Sequence, residues 1–229
     1  MFCLIIIPLT KRIQLLELNE KDIVEAIILI TDVVEKLILL IMFLLSIWSI
    51  SIMIDRKKNL NSLISVDDFA KIKSILTDGA GMSSVKLENL KKFAIGPTSY
   101  LGRAFQNILA TSNQPEAIDR VVLAYTREER LKLEKGLAVL ATLGSNAPFI
   151  GLFGTVLGII RAFAYLGSQS GSSAVMSGVS QALYATALGL FVAIPAIIAF
   201  NVFTQSVKKL NSQLDTLKDL YVAQILGGK

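Results

Sequence analysis

The chain has 229 residues, 53% of them hydrophobic, and its mean hydropathy of +0.60 is high for a soluble domain, so the composition indicates membrane segments. It contains one cysteine, Cys3, and no histidine, which excludes an intramolecular disulfide and removes the commonest general base and metal ligand. The formal charge of +5 is not accompanied by aromatic residues interleaved with basic ones, so nucleic acid is not an expected partner.

The N-terminal segment, residues 1–36, lacks the pattern of a cleaved signal peptide. Its opening stretch, "MFCLIIIPLT", is apolar but too short to span a bilayer, and the positive pair next to it follows the apolar run instead of preceding it. Residues 22–36 combine apolar side chains with carboxylates, which predicts an amphipathic helix at the outer interface of the membrane. An extension of the first membrane helix into solvent is the alternative interpretation.

Residues 37–54 predict the first transmembrane helix, because this stretch is uncharged and long enough to cross the bilayer. The sequence Asp-Arg-Lys-Lys follows at residues 55–58. Positive charge at that end places it in the cytoplasm and the N-terminus in the periplasm. Residues 55–135 carry fourteen basic and ten acidic side chains without sustained strand alternation, so we expect a helical cytoplasmic region there.

Two further apolar stretches, residues 136–166 and 175–203, predict a second and a third transmembrane helix joined by a short periplasmic loop at 167–174. The second is expected to continue a cytoplasmic helix that begins at about residue 115, and the third to run on into a C-terminal cytoplasmic helix over 204–229. The predicted fold is therefore an all-α integral membrane protein. It has three transmembrane helices, two of them extended into long cytoplasmic helices, and a helical cytoplasmic insert.

The C-terminal segment repeats apolar residues at spacings of three and four. This heptad-like seam lies outside the bilayer and must pack on something, and we expect self-association into a helical barrel. The residues of the seam are Phe203, Val207, Leu210, Leu214, Leu217, Tyr221 and Ile225.

The second and third predicted spans each have one face of small side chains when drawn on a helical wheel. Bulky residues such as Phe149 and Phe153 cover the opposite side of the second span. Because lipid supplies no hydrophobic drive for helix association, small faces let helix backbones pack closely. The predicted packing residues are Gly151, Gly154 and Gly158 on the second span, and Ala182, Gly189 and Ala193 on the third.

Thr155 and Thr186 share these small faces, and two interpretations stay open. Each hydroxyl can bond a carbonyl of its own helix, which is functionally silent, or both can line a polar seam or pore that orders water. Pro148 and Pro195 each free a backbone carbonyl and favour a kink. The sole charged residue of these spans, Arg161, is expected to snorkel to the outer interface. Because the spans contain no Asp, Glu, Lys or His, a proton relay would need a carboxylate from another protein.

Two stretches, "APFIGLFGTVLGI" at 147–159 and "QALYATALGLFVAIPAIIAFN" at 181–201, resemble the MotA/TolQ/ExbB proton-channel family, in particular its TolQ and ExbB branch. The resemblance implies a homopentamer in the Gram-negative inner membrane, around the single membrane helices of an ExbD- or TolR-like partner that carries a membrane aspartate. It also implies that protonmotive force drives relative rotation and that the work passes to a TonB- or TolA-like protein. By the same resemblance, Thr155 and Thr186 occupy pore-facing positions and Asn201 is a further candidate.

Gln181 departs from the resemblance, because the family typically has glutamate in an "EALxATAxGL" pattern at this position. An amide forms hydrogen bonds but does not exchange a proton, which puts in doubt any mechanism that needs a titrating carboxylate there. The leading hypothesis is a motor stator-ring subunit in either a TonB-like or a Tol-like system. The alternative is a passive membrane scaffold that organises envelope proteins without conducting protons.

Other classes of function find no support in the residue pattern. A self-contained channel or transporter is disfavoured because no ionisable substrate site is visible in the spans. The chain has no glycine-rich phosphate loop, catalytic dyad or metal-ligand cluster. We therefore expect no enzymatic activity, no cofactor and no bound metal.

Overall fold

The computed structural model describes residues 9–64, 66–79, 82–94, 99–111, 113–167 and 171–227. Every regular element in this part of the chain is an α-helix, which confirms the predicted all-α fold. Residues 1–8 of the predicted N-terminal segment and 168–170 of the predicted loop lie outside the described residues. The helices are α1 (Leu9–Leu63), α2 (Val66–Thr77), α3 (Ser84–Ala94), α4 (Tyr100–Leu109), α5 (Pro115–Leu133), α6 (Leu137–Gly167) and α7 (Gly171–Leu226).

Three of these helices, α1, α6 and α7, are long and apolar enough to cross a membrane, as the sequence predicts. The first forms one uninterrupted helix of 55 residues, so the carboxylate-rich stretch at 22–36 and the apolar stretch at 37–54 belong to the same element. No helix boundary occurs at residue 36. The chain is thus a multi-pass membrane protein with three candidate spans.

The predicted continuous helix from residue 115 into the second span is wrong. α5 ends at Leu133, α6 begins at Leu137, and Gly136 between them has a φ of 78°, a left-handed conformation that glycine adopts without strain. The Glu134 amide donates to the Arg130 carbonyl at 2.8 Å and closes the last turn of α5. A Cβ atom at Gly136 would lie 3.1 Å from Cγ2 of Ile52, so this turn also packs closely against α1.

The long C-terminal helix occurs as expected, because α7 runs without interruption for 56 residues. Its heptad-like seam packs differently from the prediction of self-association. The seam residues from Val207 to Tyr221 are at most 5% exposed and form a core with apolar side chains of the same chain. These partners include Ile72 and Leu76 of α2, Leu90 of α3 and Phe105 of α4. The seam is therefore covered within one protomer.

The chain divides into two compact units. The first comprises the part of α1 up to Ser49 together with Thr142–Ile197, and the second comprises Ile50–Ala141 and Ile198–Lys229. The second unit contains the larger apolar core, in which the rings of Phe105 and Tyr221 meet edge to face at 5.9 Å. The first unit contains the small faces and the predicted site residues of the spans except Asn201, which belongs to the second unit.

Hydrogen bonds satisfy several buried hydroxyl groups in the core of the second unit. Ser99 caps α4 by accepting a hydrogen bond from the Gly102 amide at 3.1 Å. The Tyr125 hydroxyl donates to the Tyr100 carbonyl at 2.9 Å, and the Tyr100 hydroxyl donates to the Asn211 side chain at 2.7 Å. These bonds join α4, α5 and α7 into one packed body.

Candidate functional site

The small faces of α6 and α7 lie directly against each other. A Cβ atom built on Gly151 would lie 2.7 Å from the Ala185 carbonyl oxygen, and one built on Gly189 would lie 2.8 Å from the Ala147 carbonyl oxygen. Real Cβ atoms essentially never come this close to another heavy atom. Any side chain at either glycine would therefore force the two backbones apart.

Gly154 and Gly158 make the same kind of contact with alanine side chains. A Cβ atom on Gly154 would lie 2.6 Å from the Cβ of Ala185, and one on Gly158 would lie 2.5 Å from the Cβ of Ala182. Ala193, further along α7, is 3% exposed and belongs to the apolar core of this unit. The predicted packing residues thus lie at or beside the contact between the two helices.

The two threonines differ in their hydrogen bonding. The Thr155 hydroxyl donates to the Leu152 carbonyl, three residues earlier in α6, at 2.6 Å. The Thr186 hydroxyl oxygen is buried and has no hydrogen-bond partner within the described part of the chain. Thr186 lies at the close contact between the helices, because a Cβ on Gly151 would lie 3.0 Å from its Cα. A buried, unsatisfied hydroxyl is costly unless another molecule supplies a partner.

Arg161 does not snorkel to an interface, contrary to the prediction. Its side chain is 3% exposed, and its Nη1 lies 2.8 Å from Oε2 of Glu35 and 2.9 Å from Oδ1 of Asp32. The Asp32 contact is a hydrogen bond, whereas the Glu35 contact has the distance of an ion pair without hydrogen-bond geometry. Both carboxylates belong to α1, so the guanidinium group is neutralised from a different helix.

Gln181 lies on the other side of the same guanidinium group. Nη2 of Arg161 donates a hydrogen bond to the Gln181 side-chain oxygen. Position 181 is therefore in contact with a buried cation that already has carboxylate partners. We call Asp32, Glu35, Arg161 and Gln181 the three-helix charge cluster, because it joins α1, α6 and α7.

Sequence reasoning missed the charge cluster, although the sequence carries two signals for it. An arginine inside an apolar span needs a partner, and two carboxylates three residues apart on α1 occupy one helix face. Neither signal tells which helix packs on which. Only the fold shows that Arg161, Glu35 and Asp32 come together.

The remaining predicted residues occupy less constrained positions. Asn201 is exposed on α7. Pro148 and Pro195 lie inside α6 and α7, both of which continue through the proline, so the predicted kinks stay predictions. No group of three or more potential metal-ligating side chains occurs in the described ranges.

Bulky apolar side chains cover the outward faces of the membrane helices in the first unit. Phe149, Phe163 and Phe191 are each 67% exposed, and Phe43 on α1 is 58% exposed. Exposure of such an apolar surface to water is unfavourable, so lipid tails or other membrane helices must cover it.

Comparison with known proteins identifies the family. The model of the MotA/TolQ/ExbB proton channel family matches residues 97–216, which is more than half of the chain. The chain belongs to this family. The match includes Thr155, Arg161, Gln181 and Thr186, whereas the α1 carboxylates of the charge cluster lie outside it.

Three relatives from the MotA/TolQ/ExbB family illustrate the similarity. The biopolymer transport protein ExbB of Xanthomonas campestris pv. campestris (strain B100) is 42% identical over 106 residues, 45% of this chain and 42% of the relative. The Tol-Pal system protein TolQ of Pseudomonas aeruginosa is 46% identical over 103 residues, 44% of either chain. The putative biopolymer transport protein ExbB-like 2 of Helicobacter pylori (strain ATCC 700392 / 26695) is 47% identical over 91 residues, 39% of this chain and 61% of the relative. The chain thus spans less than half the length of the ExbB and TolQ relatives.

Proposed function

We propose that this family member is the proton-channel subunit of an inner-membrane motor of the ExbB–ExbD or TolQ–TolR type. Five copies surround the membrane helices of a smaller partner that carries a membrane aspartate, with the N-terminus in the periplasm and the C-terminus in the cytoplasm. Protonmotive force then energises a TonB- or TolA-like protein that spans the periplasm. The family match and the similarity to an ExbB and a TolQ protein support this proposal.

The observation that carries the proposal is the buried hydroxyl of Thr186, which has no partner among the described residues and lies where neither α6 nor α7 has an acidic residue nearby in sequence. The sequence between Thr142 and Ile197 contains no Asp or Glu. A hydroxyl both donates and accepts hydrogen bonds, so Thr186 can bind a water molecule or a carboxyl group. The Thr155 hydroxyl uses its proton on Leu152 but keeps its oxygen as an acceptor. The hydroxyls of Thr155 and Thr186 together can orient a proton that a partner's aspartate binds and releases.

The charge cluster has a definite part in this proposal. An unpaired guanidinium group near the pathway would attract the partner's aspartate and hold it in the ionised form. Glu35 and Asp32 already neutralise Arg161 and therefore leave the partner's carboxyl group able to titrate. Asp32 also pairs with Lys36 at 2.8 Å, which brings the formal charge of the local group to zero. The exposed bulky faces of α1, α6 and α7 provide surfaces for neighbouring subunits and lipid.

The double substitution Thr155→Val and Thr186→Val tests the proposal, because valine keeps the size of threonine and removes the hydroxyl. The full chain is purified with its smaller partner subunit and reconstituted into vesicles, and proton flux is measured under an imposed protonmotive force. We expect loss of most of the flux with an unchanged oligomer mass. The variant Thr186→Ser keeps a hydroxyl and is expected to retain the proton flux.

Thr216→Val is the matched control, because its hydroxyl bonds the Ser212 carbonyl at 2.9 Å on an exposed part of α7 beyond the span. Its flux should equal that of the wild type. If the double variant also conducts like the wild type, the hydroxyls carry no protons and the passive scaffold is the better description. A native assembly without any aspartate-bearing membrane partner would also contradict the motor.

A further inference from the structure

A cavity of about 330 Å³ lies within the second unit, next to the ends of two apolar spans. Its walls come from the α1 segment that follows the first span, from α4, and from the end of α5 that precedes the second span. The contact between Gly136 and Ile52 brings these two span ends to the same level. The cavity therefore lies at a boundary between membrane and water. This location follows from the apolar spans and does not depend on the proposed motor function.

Cationic side chains dominate the walls. Among the described residues, four basic side chains and one carboxylate, that of Glu129, line the cavity. Arg56 is bound in place, because it pairs with Asp55 at 2.6 Å and donates to the Lys132 carbonyl at 3.0 Å, which satisfies a free carbonyl at the end of α5. The remaining cations, Arg103, Lys132 and Lys135, give the cavity its excess of positive charge.

The hydrogen-bonding capacity of these cations is only partly used. Glu129 is 7% exposed and accepts from Lys132 at 2.8 Å and from Arg103 at 3.4 Å. Nε of Arg103 is buried without a hydrogen-bond partner in the described ranges. Lys135 is exposed and forms no ion pair there. The cavity thus offers donors and positive charge that an anion can use.

The rest of the lining indicates what the anion is attached to. Leu60, Leu63 and Leu133 give the cavity an apolar side. None of its lining residues in the described ranges is aromatic, so they offer a nucleobase nothing to stack on. A phosphate group carried on a small apolar body fits this combination better than a nucleotide does. Basic pockets at the ends of membrane helices suit anionic lipid headgroups for the same electrostatic reason.

We propose that this cavity binds the phosphate of an anionic phospholipid, with Lys132, Lys135 and Arg103 on the phosphate and the three leucines on the glycerol end of the lipid. The bound lipid would lie between the α1 segment that follows the first span, α4 and the end of α5.

Native mass spectrometry of the purified full chain tests the proposal. The protein is presented with equal amounts of phosphatidylglycerol and phosphatidylcholine, and the ratio of bound lipids is measured. The wild type is expected to prefer phosphatidylglycerol. Lys132→Gln with Lys135→Gln should reduce that preference by about 25-fold, since each lysine near a membrane surface contributes roughly five-fold to anion binding.

The matched control is Lys208→Gln with Lys209→Gln. These exposed lysines follow the third apolar span and carry the same charge, but they do not line the cavity, so the preference should change by less than about two-fold. Lys135→Gln alone leaves the Lys132–Glu129 pair intact and should reduce the preference by about five-fold even if the double variant folds poorly.

Three results would overturn the proposal. One is a wild type without preference for the anionic lipid, and another is an equal loss in the cavity and control variants, which would indicate general surface charge. The third is displacement of phosphatidylglycerol by millimolar inorganic phosphate with the same dependence on the cavity lysines, which would make free phosphate the ligand.

Discussion

Removing the charge of Glu35 should destabilise the first unit more than removing the charge of any neighbouring acidic residue on α1. Glu35→Gln keeps the size of the side chain and leaves Arg161 with Asp32 as its one remaining carboxylate in the cluster. Breaking a buried ion pair typically costs about 3–5 kcal/mol, because a buried charge is left uncompensated. Since Asp32 Oδ1 stays 2.9 Å from the guanidinium, we expect the lower end of that range, about 3 kcal/mol.

Two comparisons on the same helix calibrate this value. Asp32 is one-third exposed and pairs with Lys36, so Asp32→Asn should cost about 1 kcal/mol or less. Glu25 is exposed and Glu25→Gln should change stability by less than about 0.5 kcal/mol. The combination of Glu35→Gln with Gln181→Glu returns a carboxylate to Arg161 from α7 and should restore most of the loss.

The assay is thermal unfolding of the purified full chain, followed through the fluorescence of Trp48, the only tryptophan, which lies on α1. For a chain of this size, about 3 kcal/mol corresponds to a decrease in Tm of about 6–12 °C. Equal decreases for Glu35→Gln and Asp32→Asn would refute the reasoning. So would a combined Glu35→Gln and Gln181→Glu variant that is no more stable than Glu35→Gln alone.

Two further predictions concern packing and pH. Gly158→Ala should destabilise the α6–α7 contact by about 1–3 kcal/mol, because its Cβ would meet that of Ala182 at 2.5 Å, and adding Ala182→Gly should restore the thermal stability; a Gly158→Ala variant as stable as the wild type would contradict this. Burial raises the pKa of Tyr125 above its value of about 10 in the unfolded chain. The contribution of Tyr125 to stability is therefore fully present below about pH 10 and is lost as the pH rises from there towards the folded pKa. Tyr125→Phe should therefore cost about 1 kcal/mol at pH 7, from the lost bond to the Tyr100 carbonyl, and the difference from the wild type should narrow above pH 10 in denaturation curves; a constant difference would contradict it.

The sequence predicts the long helices well and their ends less well, for a physical reason. Length, hydropathy and the heptad-like spacing are properties of the helix itself, and they correctly anticipate the 56-residue α7. The break at Gly136 depends on a left-handed φ and on contact with Ile52, 84 positions earlier in the sequence. An isolated glycine is tolerated inside many helices, so its local sequence does not decide between the two outcomes.

The same limit applies to the packing partners of each pattern. The spacing from Val207 to Tyr221 correctly predicts that these residues are buried. The heptad-like spacing does not determine whether a second copy or other helices of the same chain bury them. Here α2, α3, α4 and α5 provide it. Arg161 is the parallel case among charges, because snorkelling and pairing both satisfy an arginine in a span, and only the position of α1 decides between them.

The charge cluster explains how this chain can keep an arginine in a span and an amide at Gln181. A glutamate at 181 would add a third carboxylate around one guanidinium, and like charges so close would raise the proton affinity of at least one of them. Glutamine satisfies the same donor without adding charge. The two carboxylates of the cluster are thereby held on α1 and paired with Arg161, while the stretch from Thr142 to Ile197 on α6 and α7 contains no acidic residue. In the proposed motor, a proton that crosses through this helix pair would be carried by a carboxyl group of another subunit, and the pairing of Arg161 with α1 would leave that group able to titrate.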